Sequence, residues 1–164
     1  MSLGQLLAAE LEREAVSTRK MLERTPADFD WSPHEKSTTL GDLAIHIARL
    51  PSYVKPALSE TDLNLAAAST DQTILTNGAE LAAFFDESVR EAVSHLNQIS
   101  DDELKQNLRL TNGDHVIAET ARIGIIRNLV FSHLLHHRGQ FSVYLRLKNV
   151  PVPSIYGPSA DERM

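Results

Sequence analysis

The chain has 164 residues with 16 Lys and Arg against 22 Asp and Glu, which gives a formal net charge of −6. This acidic balance argues against a nucleic-acid partner or an anionic membrane surface, since both require a basic face. Seven histidines and no cysteine exclude a disulfide scaffold, a cysteine nucleophile and a cysteine-ligated metal site, and direct attention to histidine chemistry.

Apolar residues at helical spacing predict a first amphipathic helix that ends near Thr25-Pro26, since the residue before a proline is disfavoured in a helix. Its charged run EREAVSTRK is interpreted as a solvated face. These charges interrupt any signal-peptide core, and no stretch approaches the ~20 apolar residues of a membrane span. We therefore expect a cytoplasmic protein with no membrane partner.

A second helix is predicted from Thr38 or Thr39, whose hydroxyl can cap its first N–H groups. Pro51 and Pro56 predict a kink or a break in its second half. Residues 59–76 are rich in Ser, Thr, Asp and Asn, and this composition predicts a long connection.

A third helix is predicted to begin at Asn77, with Glu80 as its capping-box partner. Residues 105–118 differ from the rest, because alternating apolar residues surround Asn112-Gly113. An Asn-Gly pair between alternating runs is the strongest local signal for a β-hairpin. A small hairpin or an irregular excursion is therefore predicted there.

The fourth helix is predicted from about Glu119 to Lys148, and the remaining residues form an extended tail. Four amphipathic helices with little strand content predict an all-α fold, a four-helix bundle with the short hairpin before its last helix. The length fits a single domain over residues 1–164.

Three histidines lie on apolar helix faces. On a helix with 100° per residue, His137 lies about 40° from His133, and His136 lies about 60° to the other side. His46 lies in the apolar stripe of the second helix. Such histidines are often hydrogen-bonded core residues. Three buried imidazoles cannot all be charged, however, and a metal ion would satisfy all three, so both interpretations stay open.

Three segments together resemble the DinB-like (DinB/YfiT) superfamily over most of the chain. They are HLLHHRGQFSVYLRL at 133–147, PVPSIYGPSADE at 151–162 and WSPHEKSTTLGDLAIHIARL at 31–50. The resemblance implies a four-helix bundle that holds a divalent metal, zinc or nickel, on three histidines. Position by position, these ligands fall on His46, His133 and His137. It also implies a homodimer, and the family includes thiol-dependent S-transferases and isomerases.

The other four histidines are not assigned as ligands. His136 is expected to contact the ligands from behind or to bridge helices, since its angle places it at the edge of the apolar arc. His34, His95 and His115 are expected at the surface without a chemical role.

Three neutral ligands would leave open positions on the metal and its full +2 charge, which lowers the pKa of a bound water or thiol. The resemblance favours a thiol and an electrophilic substrate. Because the chain itself has no cysteine, the thiol would be a low-molecular-weight cosubstrate. The expected function is therefore S-transfer. The alternatives are a metal-dependent hydrolase and a non-catalytic stress-response or ligand-binding bundle with a structural metal.

Further side chains lie near the predicted ligands. Arg122 and Gln140 flank the histidine line at about −20°, and Tyr144 lies further along the same helix. Packing within the bundle is the favoured interpretation for Gln140 and Tyr144, and Arg138 is predicted to point away. Asp42 would either orient His46, which lies one helical turn later, or cap the second helix. No general base is assigned.

Overall fold

The computed structural model describes residues 1–68 and 73–163. Most of this part of the chain is helical, and the predicted helices are found with small changes in their ends. The helices are Leu3–Glu23 (α1), Leu40–Arg49 (α2), Val54–Ser59 (α3), Leu65–Ala68 (α4), Gly78–Gln98 (α5), Asp101–Lys105 (α6), Arg122–Ile126 (α7) and His133–Leu147 (α8).

Side-chain caps explain where the long helices begin. The Ser2 hydroxyl accepts the main-chain N–H of Gln5, and the Gln5 side chain accepts the N–H of Ser2, which forms a capping box before α1. The Asn77 side chain accepts the N–H of Glu80 at 3.0 Å and caps α5 as predicted. The Glu80 carboxylate, however, accepts the N–H of Thr76 at 2.8 Å, one residue before the cap, so the predicted capping box does not form.

The predicted interruption of the second helix is confirmed. The Thr39 hydroxyl accepts the N–H of Asp42 at 3.1 Å and starts α2. After Arg49 the chain tightens into a 3₁₀ turn at Leu50–Tyr53, with Pro51 at its start, and continues as α3. A proline has no N–H to donate, so the regular series of main-chain hydrogen bonds in α2 ends there.

A small sheet corrects the all-α prediction. Its strands are Asp62–Asn64 (β1), Asn107–Asn112 (β2) and His115–Ala121 (β3), in the order β1-β2-β3. The antiparallel pair β2–β3 is the predicted hairpin, and Gly113 turns it with a φ of 59°. β1 pairs in parallel with β2 and lies in the segment predicted as a connection. Residues 69–72 of that segment lie outside the described residues.

The fourth helix also begins later than predicted. Residues 119–121 belong to β3, where Glu119 pairs with Arg109 and Ala121 with Asn107. Helix α7 follows at Arg122, and a π-helical segment at Arg127–Ser132 joins it to α8. Pairing with β2 therefore places residues 119–121 in a strand, although periodicity assigned them to the helix.

The four longest helical segments enclose the core. α1 packs against α5 and α8, and α2 packs against the same two helices, so the four-helix arrangement is present beside the sheet. No helix in the described part of the chain is both long and apolar enough to cross a membrane. The largest fully buried side chains include Phe85, Phe131, Phe141, Leu11, Met21 and Leu43.

Candidate metal centre

The structure brings the three predicted ligands together. His46 comes from α2, and His133 and His137 come from α8, one helical turn apart. Their ring centroids lie 4.8 Å, 4.7 Å and 4.6 Å apart in pairs. One nitrogen from each ring lies within 4.8 Å of the other two. The three imidazoles thus converge on one point between the two helices.

Local structure explains this convergence. His46 is half-buried between core residues of α2, including Leu43 and Ile47. His133 is the first residue of α8, directly after the π-helical segment. A π turn holds more residues than an α turn, so it shifts the angular positions of the residues before it relative to those after it. Such turns are frequent at functional sites. The spacing of His133 and His137 is unaffected because both lie in regular α-helix.

The spacing of the nitrogens fits a metal ion. His46 Nε2 lies 3.2 Å from His133 Nε2. Two nitrogens that each bind a tetrahedral zinc at about 2.0–2.1 Å lie about 3.3 Å from one another. Imidazole nitrogen suits zinc, nickel and similar ions. Within residues 1–68 and 73–163, no carboxylate joins this group, so the chain offers three neutral nitrogen donors.

Gln140 orients one of the three imidazoles. Its amide oxygen lies 2.7 Å from Nδ1 of His137. Because an amide oxygen only accepts, Nδ1 carries the proton in this assignment, and Nε2 keeps a free lone pair. This is the arrangement in which a metal-binding histidine donates its other N–H to a fixed acceptor. Gln140 is exposed, and its partner is the predicted ligand one turn before it on α8, so the prediction that it packs within the bundle is wrong.

Burial keeps two of the imidazoles neutral. Loss of solvation lowers the pKa of His46 from 6.5 to about 4, with further lowering from His133, His137 and Arg49. Burial also lowers the pKa of His133, and the nearby His137 adds to this effect. His46 therefore stays unprotonated in mildly acidic solution, and the same cause favours the neutral form of His133. The neutral form is the state that binds a metal.

These shifts predict how the metal-free protein responds to acid. The unfolded chain takes up a proton on His46 near pH 6.5, while the folded chain does so only near pH 4. Protonation between these values favours unfolding, so the free energy of unfolding falls as the pH is lowered through this window. For a partly exposed ring we expect a loss on the order of 1–3 kcal/mol.

Urea denaturation at a series of pH values measures this loss. His46→Gln is expected to flatten the dependence, whereas His115→Gln, at an exposed position on β3, should leave it unchanged. Equal pH dependence in the wild type and His46→Gln would contradict this explanation.

The remaining histidines lie outside the group. His136 is exposed, and its ring centroid lies 4.9 Å from that of His137, so it borders the group without joining it. His34 lies in a loop and accepts the N–H of Lys36. His95 is half-buried on α5, and His115 is exposed on β3.

Two other predicted neighbours do not contact the histidines. The Arg122 guanidinium is buried and donates to the carbonyls of Ala57, at 2.9 Å, and Glu60. It therefore caps the end of α3, and the prediction that Arg122 flanks the histidines is wrong. Asp42 is exposed in the first turn of α2, and its main-chain N–H donates to Thr39. It contributes to the start of the helix.

The predictions for Tyr144 and Arg138 of α8 are confirmed. The Tyr144 hydroxyl donates to the carbonyl of Thr38 at 3.2 Å, and its ring meets Trp31 edge-on. Tyr144 thus packs within the bundle and holds the loop before α2. Arg138 points away from the histidines towards α1.

Arg138 forms a buried network that the sequence did not reveal. It donates to the Glu14 carboxylate at 2.8 Å, to the Tyr156 hydroxyl at 2.7 Å and to the Ser17 hydroxyl at 2.9 Å. The Tyr156 hydroxyl in turn donates to Glu14 at 2.7 Å. Glu14 is only 7% exposed, so the interpretation of its charged run as a wholly solvated face is wrong. The network joins α1, α8 and the tail.

A family model described as the DinB family matches residues 1–163. The chain belongs to the DinB family. This DinB chain is 28% identical over 153 residues to the uncharacterized protein YrdA of Bacillus subtilis, an alignment that covers 92% of this chain and 86% of YrdA. The resemblance inferred from the histidine-containing segments is therefore confirmed.

Solved structures share the fold. A DinB-like protein from Bacillus subtilis superposes with a TM-score of 0.69 at 17% identity, covering 97% of this chain and 99% of its own. A DinB-like protein from Bacillus cereus superposes with a TM-score of 0.69 at 22% identity, covering 90% and 94%. At these identities the likeness shows the fold alone. Metal binding by this DinB chain stays a prediction that its histidine geometry supports.

Proposed function

We propose that this DinB protein is a metal-dependent enzyme that uses a low-molecular-weight thiol as cosubstrate and joins its sulfur to an electrophilic substrate. The observation that carries the proposal is the convergence of His46, His133 and His137 without a fourth donor among the described residues. A structural metal site is closed by its protein ligands, whereas a catalytic site keeps a position for substrate. Three ligands favour the second kind.

The residues of the chain have defined roles in this proposal. The three imidazoles would hold zinc or nickel, and Gln140 would keep His137 in the tautomer that binds. When bound, a divalent ion with three neutral ligands keeps its +2 charge and lowers the pKa of a thiol or a water at its open position. The chain has no cysteine, so the thiol must be a cosubstrate.

The proposal extends to assembly and location. We propose a homodimer, as the family resemblance implies, and no interface is assigned. We place the protein in the cytoplasm, where cellular reductants keep small thiols in the reduced state that this reaction needs.

Thiol dependence tests the proposed reaction. The zinc-loaded and nickel-loaded proteins are incubated with an aryl halide, an epoxide and an unsaturated carbonyl compound, each with and without a panel of small thiols. We expect at least one electrophile to be consumed about tenfold or more faster than with His133→Ala, and only when thiol is present. Mass spectrometry should identify the thioether product.

Two outcomes would contradict this reaction. Metal-dependent consumption without thiol, with a hydrolysed product, would favour the hydrolase. Rates equal to those of His133→Ala with every combination, from protein that retains its metal, would favour a non-catalytic bundle with a structural ion. Gln98→Ala, at an exposed position at the end of α5, serves as a control that should keep full activity.

A further inference from the structure

Arg49 provides a cation beside His46, one of the three predicted ligands. It lies three residues after His46 on α2, and side chains at this spacing are neighbours on a helix, with their Cβ atoms about 5–6 Å apart. Its positive charge is one of the causes that lower the pKa of His46. One of its terminal nitrogens, Nη2, donates to the carbonyl of Thr73 at 3.1 Å.

The Arg49 side chain is incompletely satisfied. Its Nε is buried and has no hydrogen-bond partner among residues 1–68 and 73–163. In the same part of the chain, Arg49 forms no ion pair with an aspartate or a glutamate, unlike Arg138 or Arg146. A buried N–H without an acceptor is unfavourable. Among the described residues the Nε–H therefore lacks an acceptor, which a ligand can supply.

The charge around the site indicates the kind of ligand. A divalent ion on three neutral imidazoles together with Arg49 would place three positive charges close together, and none of the ligating groups is anionic. The chain as a whole has a net charge of −6, so this local positive region is distinct from its surroundings. Such a region attracts and orients small anions.

A carboxylate matches the unfilled donors best. Guanidinium presents Nε–H and Nη–H in one plane, and a carboxylate accepts both in parallel. We propose that the thiol cosubstrate is a thiol carboxylate whose carboxylate binds Arg49 through Nε–H while its sulfur occupies the metal site. This inference rests on the proposed function for the role of the sulfur.

A matched pair of thiols tests the inference. Cobalt(II) is loaded into the purified protein, and 3-mercaptopropionate and its neutral isostere 3-mercaptopropionamide are titrated in while the cobalt absorption is recorded. A hydrogen-bonded charge pair predicts that the wild type binds the carboxylate about 10–100-fold more tightly than the amide. Arg49→Gln should remove this preference without changing the affinity for the amide.

Two further variants make the result specific. Arg49→Lys keeps the charge and loses the two parallel N–H donors of the guanidinium group, so it should retain only part of the preference for the carboxylate. Arg90→Gln, at an exposed position on α5, should retain all of it. A wild type without preference, or a preference that survives in Arg49→Gln, would overturn the inference. Circular dichroism of each variant shows that it is folded.

Failure of the proposed function gives a different result. If neither thiol changes the cobalt spectrum, the thiol reaction is contradicted, and propionate is then titrated into the same proteins by calorimetry. Propionate binding that is lost in Arg49→Gln and kept in Arg90→Gln would still support a carboxylate site at Arg49. Equal binding or no binding in all three proteins would overturn it.

Discussion

Substituting His137→Ala is expected to weaken zinc binding by more than about 100-fold. Loss of a residue that only supports a ligand commonly costs 10–100-fold in metal affinity, and loss of the ligand itself costs more. His137 supplies one of three donors, and its ring lies within 4.7 Å of both His46 and His133. A competition titration against a chromophoric chelator measures the change.

Neighbouring residues on the same helix supply graded controls for this substitution. Gln140→Leu removes the acceptor on His137 Nδ1 and is expected to weaken zinc binding about 10–100-fold. His136→Ala removes an exposed imidazole outside the group and should leave the affinity unchanged. If His136→Ala released zinc while His137→Ala retained it, the assignment of ligands along α8 would be wrong.

Arg138→Met is expected to destabilise the protein by about 3–5 kcal/mol, because it leaves the Glu14 carboxylate buried without its cation. The side chains of Arg138 and Glu14 are only 3% and 9% exposed. Arg138 also donates to Ser17 and Thr18 of α1, so these acceptors lose their partner as well. Urea denaturation of the metal-free protein measures the change.

A double substitution separates the two causes of this loss. Glu14→Leu combined with Arg138→Met removes both charges, and we expect it to be much more stable than Arg138→Met alone. Tyr156, which is 70% exposed, can then direct its hydroxyl to water. Arg90→Met removes a surface ion pair with Glu87 and should change stability by at most about 1 kcal/mol. An Arg138→Met effect no larger than this would contradict the role of the network.

Local signals in the sequence were sufficient for the main helices and the hairpin, and they drew attention to the three histidines. Caps such as Asn77 and the break at Pro51 act over a few residues, so their effects can be predicted from neighbouring positions. The histidines were found because helical periodicity places His133 and His137 on one apolar face. The apolar stripe of the second helix indicated His46 as well, and the family resemblance then assigned all three histidines as ligands.

Long-range contacts account for what the sequence did not show. β1 has three residues, and its strand character depends on parallel pairing with β2, more than 40 positions away. Periodicity gave Glu14 to the solvent side of α1 because its partner Arg138 lies 124 residues further on. Arg122 was misplaced for a related reason, since its acceptors are at the end of α3.

Elemental analysis of the dialysed protein tests the central claim most directly. The wild-type chain, loaded with zinc and then dialysed against metal-free buffer, is expected to retain about one ion per chain, as the single group of three histidines in its described part implies. His46→Ala on α2 and His133→Ala on α8 are expected to retain almost no zinc. A folded wild-type protein that retains no more metal than these variants would contradict the account.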